Sequence, residues 1–147
     1  MQDPTHARIF TEWHRAARDR DTPALLALYA PDAVLESPLV PAILDDHPNG
    51  VLRGRAELAR FFAEGARRRP NELVRWWRSG QWASLGPLLI WEYPRATPDG
   101  EQVDLVEVIE TAGGLIRHHR IYWGCFGVHL LTAAAARGAL SRSVSPC

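Results

Sequence analysis

The chain has 147 residues, the length of one compact domain, and its 17 basic and 17 acidic side chains give a formal net charge of zero. This balance argues against nucleic-acid binding, which relies on clustered positive charge, and the absence of lysine excludes Schiff-base chemistry on the chain. Six tryptophans and a hydrophobic fraction of 46% predict extensive buried aromatic surface, in a thick core or around a ligand.

Cysteine content and hydropathy set further limits. Cys125 and Cys147 are too few for a disulfide framework or a four-cysteine zinc site. No apolar run reaches the roughly 20 residues of a membrane span, and Met1–Arg20 lacks the apolar centre of a secretory signal. We therefore expect a single disulfide-free domain over residues 1–147 that is cytoplasmic and binds no membrane.

The N-terminal half predicts helices. Apolar residues spaced three and four apart predict a helix over His6–Arg18, and the Asp-Thr-Pro sequence at 21–23 predicts a second helix over Pro23–Tyr29. A short strand over Ala33–Ser37 and a long irregular loop over 38–53 follow, and Gly54–Arg69 predicts a third helix. The loop carries Asp45, Asp46 and His47, which fit either a solvated turn or a gate at a pocket mouth.

The C-terminal half predicts strands rich in Val, Ile, Leu, Trp and Tyr. They cover Glu72–Ser79, Ala83–Tyr93, Gln102–Thr111 and Leu115–Trp123. A last helix is predicted over Leu130–Leu140, followed by a frayed tail at 141–147. Three helices followed by antiparallel strands predict an α+β fold with the helices on one face of the sheet.

Alternation along the last two strands groups the side chains by face. Residues Val103, Leu105, Glu107 and Ile109 share one face of their strand, and Arg117, His119, Ile121 and Trp123 share one face of the next. Both faces of the first of these strands are largely apolar, so alternation alone leaves open which face is inside.

Two strings resemble a known superfamily. Residues 21–38 (DTPALLALYAPDAVLESP) and 105–123 (LVEVIETAGGLIRHHRIYW) resemble the SnoaL-like and ketosteroid-isomerase-like branch of the nuclear transport factor 2-like superfamily, over about residues 5–125. The resemblance implies a cone-shaped, curved mixed or antiparallel sheet wrapped around three N-terminal helices. Because this superfamily holds isomerases, cyclases, epoxide hydrolases, dehydratases and non-catalytic binding subunits, the fold does not determine the reaction.

The resemblance also suggests site residues. The general-base Asp of steroid isomerases falls on Ser37, the oxyanion-hole Tyr falls on Trp13, and the paired acid falls on Glu107, which is thereby placed on the cavity face. Only Glu107 keeps a carboxyl group, and this argues against isomerisation of the steroid type.

Glu107 and His119 are expected to be neighbours across the last hairpin. They fit an acid–base pair, with Ser37 and Trp13 as hydrogen-bond donors, and they also fit a buried polar pair with a purely structural role. The expected lining of the substrate pocket is Trp13, Leu35, Trp91, Ile109, Arg117 and Trp123.

The predicted function is acid/base chemistry, without cofactor or metal, on an apolar small molecule: isomerisation, cyclisation or dehydration. One alternative is a limonene-type epoxide hydrolase, in which Arg117 would supply the arginine of an Asp–Arg–Asp array. The other is a non-catalytic ligand-binding or assembly protein, which Ser37 in place of the Asp supports. Of the adjacent Trp76 and Trp77 one must face outward, which predicts a homodimer through the outer sheet face.

Overall fold

The computed structural model describes residues 3–68, 81–92, 95–96 and 102–143. The helices are α1 (Pro4–Asp19), α2 (Thr22–Ala27), α3 (Val40–Ile43), α4 (Arg55–Arg68) and α5 (Cys125–Ser143). The strands are β1 (Tyr29–Glu36), β2 (Val51–Arg53), β3 (Ala83–Leu85), β4 (Leu88–Glu92), β5 (Arg95–Ala96), β6 (Gln102–Val103), β7 (Leu105–Ala112) and β8 (Leu115–Trp123). No helix within the described part of the chain is long and apolar enough to cross a membrane.

Six strands form one mixed sheet in the order β2-β1-β8-β7-β4-β3, and β5 pairs with β6 in a separate ribbon. Strands β1 and β8 run parallel, whereas the other neighbours in the large sheet are antiparallel. The buried apolar side chains of α1, α2 and α4 form one core with those of the sheet. The predicted α+β class, with N-terminal helices against a curved mixed sheet, is confirmed.

Helix α1 begins at a capping residue and ends at a residue in the left-handed conformation. The Asp3 carboxylate accepts a hydrogen bond of 2.8 Å from the Thr5 amide, and Pro4 occupies the first helical turn. Arg20 ends the helix in the left-handed conformation at φ 58°. The helix is therefore slightly longer than the predicted His6–Arg18, and it buries the expected apolar face, including Ile9, Trp13 and Ala16.

The chain between α2 and α4 departs from the prediction. Helix α2 ends at Ala27, and β1 begins at Tyr29, because the strand continues through Pro31. The pairing of β1 with β8 shifts register between Tyr29 and Val34, and such an irregularity tolerates a proline. The predicted loop 38–53 contains the one-turn helix α3 and the short strand β2.

The predicted strand Ala83–Tyr93 is interrupted after three residues. Gly86 has φ +57°, and the turn that it forms with Pro87 makes β3 and β4 a hairpin. Helix α5 begins at Cys125, five residues before the predicted start. The predicted strand Glu72–Ser79, with Trp76 and Trp77, lies outside the described residues.

A buried histidine joins α1 to the far edge of the described sheet. His6 is fully buried, with Nδ1 2.6 Å from the Ser84 hydroxyl of β3 and Nε2 3.0 Å from the Thr111 hydroxyl of β7. Both ring nitrogens are therefore satisfied without water, as burial of an imidazole requires.

Gly50 supports the turn beneath Ser37, and a substitution there tests this packing. Gly50 has φ +73°, and an added Cβ would lie 3.0 Å from the Ser37 carbonyl oxygen. Gly114 has a similar φ of +78° but meets nothing within 4 Å. Gly114→Ala is expected to lower the unfolding free energy by about 1 kcal/mol through backbone strain, and Gly50→Ala by roughly 1–3 kcal/mol more. Urea unfolding measures both, and equal losses would contradict this role of Gly50.

His47 links the loop before β2 to α4, and its protonation predicts a pH effect. Its Nδ1 lies 3.0 Å from an Asp46 carboxylate oxygen, and its Nε2 lies 3.3 Å from a Glu57 carboxylate oxygen. The hydrogen bond to Asp46 contributes most to raising the pKa of His47 above 6.5, and the one to Glu57 contributes next. Hydrogen bonds from Arg60 and His47 lower the pKa of Asp46 to about 2.

Because the folded pKa of His47 is raised, its stabilising effect is complete below pH 6.5 and is lost as pH rises through the folded pKa. We expect wild type to exceed His47→Gln in unfolding free energy at about pH 5, and the gap to close at about pH 9. Urea titrations of both proteins at both pH values measure this difference in unfolding free energy. A gap that is the same at both values would contradict the ion-pair assignment.

Candidate active site

A cavity of about 320 Å³ lies between the helices and the inner face of the β7–β8 hairpin. Its walls are mainly apolar and aromatic, which is typical of sites for small organic molecules. The lining residues with large side chains are Trp13, Leu25, Leu39, Ile43, Phe61, Phe62, Leu105, Ile121 and Trp123. Glu107 is the only acidic residue that lines the cavity among the described residues.

The pairing of β7 with β8 and the burial of the β7 side chains show which face of β7 is turned toward the cavity. Leu105 lies opposite Trp123, Glu107 opposite Ile121, and Ile109 opposite His119. On β7 the side chains of Leu105, Glu107 and Ile109 are buried, whereas the alternate ones are half-buried. The structure thus puts Glu107 on the cavity face.

Glu107 and His119 lie together, as expected. Both side chains are fully buried, and Glu107 Oε2 is hydrogen-bonded to His119 Nε2. Since Ile109, not Glu107, is the direct cross-strand partner of His119, this contact runs diagonally across the hairpin.

Tyr29 and Trp13 extend this pair into a chain of four buried side chains. The Tyr29 hydroxyl lies 2.8 Å from His119 Nδ1, and Trp13 Nε1 donates to the Tyr29 oxygen at 3.1 Å. Tyr29 was not among the predicted site residues. The sequence pattern placed it at the end of a helix, whereas in the structure it is the first residue of β1.

An ionised Glu107 gives the protons along these four side chains one direction. An indole nitrogen only donates, so the Tyr29 oxygen accepts from Trp13. An ionised carboxylate only accepts, so a neutral His119 donates to it from Nε2 and accepts the phenolic proton of Tyr29 at Nδ1. The second carboxylate oxygen of Glu107, Oε1, is buried without a hydrogen-bond partner among the described residues.

A second imidazole, that of His14, packs near the inner end. Its ring lies 5.0 Å from Trp91 and 5.4 Å from Trp13, and its Nδ1 donates to the Phe10 carbonyl at 2.7 Å. Burial lowers the pKa of His14 most strongly, although the Phe10 hydrogen bond and the negative charge of Glu107 oppose this shift. His14 is therefore a neutral neighbour of the four-residue chain.

Ser37 lines the cavity but is not part of the hydrogen-bonded chain. It is 4% exposed, its hydroxyl oxygen accepts from the Leu39 amide at 3.2 Å, and its own amide donates to the Gly50 carbonyl at 3.0 Å. Its described contacts therefore fix the turn after β1 and leave the hydroxyl proton available to a ligand.

The predicted pocket residues divide into three groups. Trp13 and Trp123 line the cavity, although the Trp13 N–H is directed to Tyr29 and not to a ligand. Leu35, Trp91 and Ile109 are buried in the core behind the lining. Arg117 lies on the outside.

The prediction that Arg117 shares the inner face of its strand with His119 is wrong, because strict alternation fails at this residue. Between Glu110 and Thr111 the β7–β8 register shifts by one residue, from Glu110 opposite His118 to Thr111 opposite Ile116. Arg117 is the extra residue of this β-bulge, so the buried position before His119 belongs to Ile116. The Arg117 side chain is exposed and binds Asp32 at 3.0 Å.

The cavity also carries two cations that were not among the predicted site residues. Arg20 and Arg68 line it, and each guanidinium donates a long hydrogen bond of 3.4 Å to a backbone carbonyl, of Ala66 and of Ala42. Arg67 and Arg68 bind Glu64 and hold the pKa of that carboxyl down at about 2. No group of three or more His, Cys, Asp or Glu side chains within the described residues is arranged to hold a metal ion.

Comparisons with known proteins agree with this architecture. The sequence model of the SnoaL-like domain matches residues 10–119, and no curated protein matches the chain. A SnoaL-like protein of unknown function from Burkholderia thailandensis superposes with a TM-score of 0.68 at 18% identity, covering 84% of this chain and 98% of that one.

Two further solved structures are similar. An NTF2-like protein of unknown function from Burkholderia pseudomallei has a TM-score of 0.65 at 17% identity, covering 88% of this chain and 98% of the other. A ketosteroid isomerase-like protein from Kribbella flavida has a TM-score of 0.60 at 18% identity, covering 82% and 78%. At these identities the structures show a shared fold only. The match to the domain model, which spans most of the sequence, shows that the chain belongs to the SnoaL-like domain family.

Proposed function

We propose that the protein catalyses proton transfer on an apolar small molecule, without a cofactor, and that Glu107 carries the proton. One observation supports this most directly: the buried Glu107 carboxylate lines the cavity with one oxygen held by His119 and the other without a partner among the described residues. Unpaired buried carboxylate oxygens are costly, so their retention favours a role with a ligand.

The roles of the neighbouring side chains follow from the chain of hydrogen bonds. Tyr29 orients His119, and the Nε2 proton of His119 stabilises the negative charge on Glu107. Oε1 removes a proton from a substrate carbon or hydroxyl, and the resulting carboxylic acid returns it elsewhere on the same molecule. Return at another carbon gives an isomerisation, and return to a departing hydroxyl gives a dehydration.

The cavity also indicates the kind of substrate. Its aromatic walls and volume of about 320 Å³ suit a compact apolar molecule. Trp123 Nε1 is buried without a hydrogen-bond partner among the described residues, and Trp123 shares the inner hairpin face with Glu107. A ligand oxygen that accepts from this N–H would satisfy it, so we propose an apolar substrate with at least one oxygen atom. Cyclisation of a polyketide-like chain is one proton-transfer reaction that acts on a substrate of this kind.

A second candidate is ligand binding without chemistry. It is supported by Ser37, which stands where steroid isomerases carry their general base and whose hydroxyl oxygen already accepts from a backbone amide. Epoxide hydrolysis has weaker support, because Arg117 lies outside the cavity and Glu107 has no second acid beside it among the described lining residues.

We also propose that two copies pair through the outer face of the sheet. Tyr122, on the outward face of β8, is 54% exposed, and such a dimer would cover its ring. Sedimentation analysis is expected to report a dimer, and a monomer at micromolar concentration would contradict this proposal.

Removal of the Glu107 charge tests the proposed chemistry. With 3-cyclohexenone as probe, wild type is expected to accelerate its conversion to the conjugated enone, followed by ultraviolet absorbance. Glu107→Gln should lower the rate by at least roughly 100-fold, the usual size of a general-base effect. Glu110→Gln is the matched control, because Glu110 lies on the outer face of the same strand and binds Arg120.

Equal rates for the two variants would contradict the role of Glu107. If wild type binds the probe, as followed by tryptophan fluorescence, but does not convert it or other enolisable ketones, ligand binding without chemistry becomes the better explanation.

Tyr29→Phe tests whether the Tyr29 hydroxyl positions the Glu107–His119 pair. The change removes one hydroxyl that accepts from Trp13 and donates to His119, so His119 loses the partner that fixes its tautomer. We expect a rate roughly 10-fold lower than wild type, with a changed pH profile and unaltered probe affinity. An unchanged pH profile would show that Tyr29 only fills space.

A further inference from the structure

A second set of polar side chains lies outside the cavity, where α1 meets the β3–β4 hairpin. It consists of Ser84, His6 and Thr111, with 2.6 Å between the Ser84 hydroxyl and His6 Nδ1 and 3.0 Å between His6 Nε2 and the Thr111 hydroxyl. None of these side chains lines the cavity or contacts the Glu107 chain.

The Thr111 hydroxyl determines the tautomer of His6. It donates to the Pro87 carbonyl at 3.1 Å, so its oxygen must accept from His6 Nε2–H. A neutral imidazole with a proton on Nε2 has an unprotonated Nδ1, which accepts the hydroxyl proton of Ser84. The order is thus hydroxyl, imidazole base and orienting group, the arrangement that activates nucleophilic serines.

His6 and Ser84 differ in their exposure to solvent. His6 is fully buried, so its ring is held in one orientation, whereas Ser84 is exposed on β3, the last strand of the described sheet. The half-buried Trp82, two residues before Ser84, lies on the Ser84 side, with its ring 6.5 Å from that of His6. Leu85, the next residue, is 70% exposed but projects from the opposite face of β3. An acyl chain can therefore reach the hydroxyl and rest on apolar surface.

We propose that Ser84 is a nucleophile and an acylation site for activated esters with short apolar acyl chains. The Ser84 oxygen attacks the ester carbonyl, and His6 Nδ1 takes the hydroxyl proton. The new bond joins Ser84 Oγ to the acyl carbon, the bond to the leaving alcohol or phenol breaks, and the departing oxygen takes the proton from His6. The product is O-acyl-Ser84, with His6 neutral again.

The test uses the full chain and 4-nitrophenyl hexanoate as acyl donor. Intact-mass spectrometry and peptide mapping are expected to find one acyl group, on Ser84, with release of one equivalent of 4-nitrophenol. Ser84→Ala should abolish the adduct, and His6→Gln should slow its formation by at least roughly 100-fold. Glu107→Gln should label like wild type, which separates this site from the cavity.

Because His6→Gln removes a buried tether and can unfold the chain, Thr111→Val is the second variant. It keeps His6 but removes the acceptor that fixes the tautomer, so labelling should be slower than in wild type while circular dichroism stays unchanged. Labelling of several hydroxyls at similar rates, or of Ser84 equally fast in Thr111→Val or in urea, would overturn the proposal, as would the absence of any adduct on Ser84.

Discussion

The hydrogen bond between Glu107 and His119 is the interaction on which the candidate site depends. Both side chains are fully buried, and an uncompensated carboxylate at this depth would cost several kcal/mol. The cost is offset by a chain that runs through His119 and Tyr29 to Trp13 and draws one residue each from β7, β8, β1 and α1. The buried carboxylate therefore has its compensating partners only when these four elements are assembled.

Helix α1 has a central part in this assembly. His6 and Trp13 lie seven residues apart, about two turns, and so project from the same face of the helix. His6 binds β3 and β7 at one end, and Trp13 donates to Tyr29 at the other. The same helix thus fixes two polar networks, one at the exposed edge of the described sheet and one at the inner end of the cavity. Each network holds a buried imidazole by hydrogen bonds to both ring nitrogens, and only the cavity network includes a carboxylate.

Much of this arrangement could be predicted from local pattern. The three- and four-residue spacing in α1 and the alternation in β7 hold because each element is regular along its length. The spacing identifies Trp13 as an inward side chain, whereas the family resemblance was needed to place Glu107 on the cavity face, because alternation left both faces of its strand open. The errors arise where regularity ends. The bulge at Arg117 inserts one residue into β8 and moves that side chain to the outside. Tyr29 was missed because Pro31 looked like the end of a helix, whereas the irregular β1–β8 pairing accommodates the proline within a strand. Such departures depend on contacts between distant segments, which a single sequence does not display.

The central claim is that His119 is a neutral imidazole, protonated on Nε2 and held between Tyr29 and an ionised Glu107. Nitrogen-15 NMR of the histidine side chains measures this directly, with His119→Gln used to assign the signals. The account predicts, at neutral pH, a protonated Nε2 that couples to its hydrogen and an unprotonated Nδ1 that accepts from Tyr29. A His119 protonated on Nδ1 alone would reverse the direction of the chain, and that result would contradict the account.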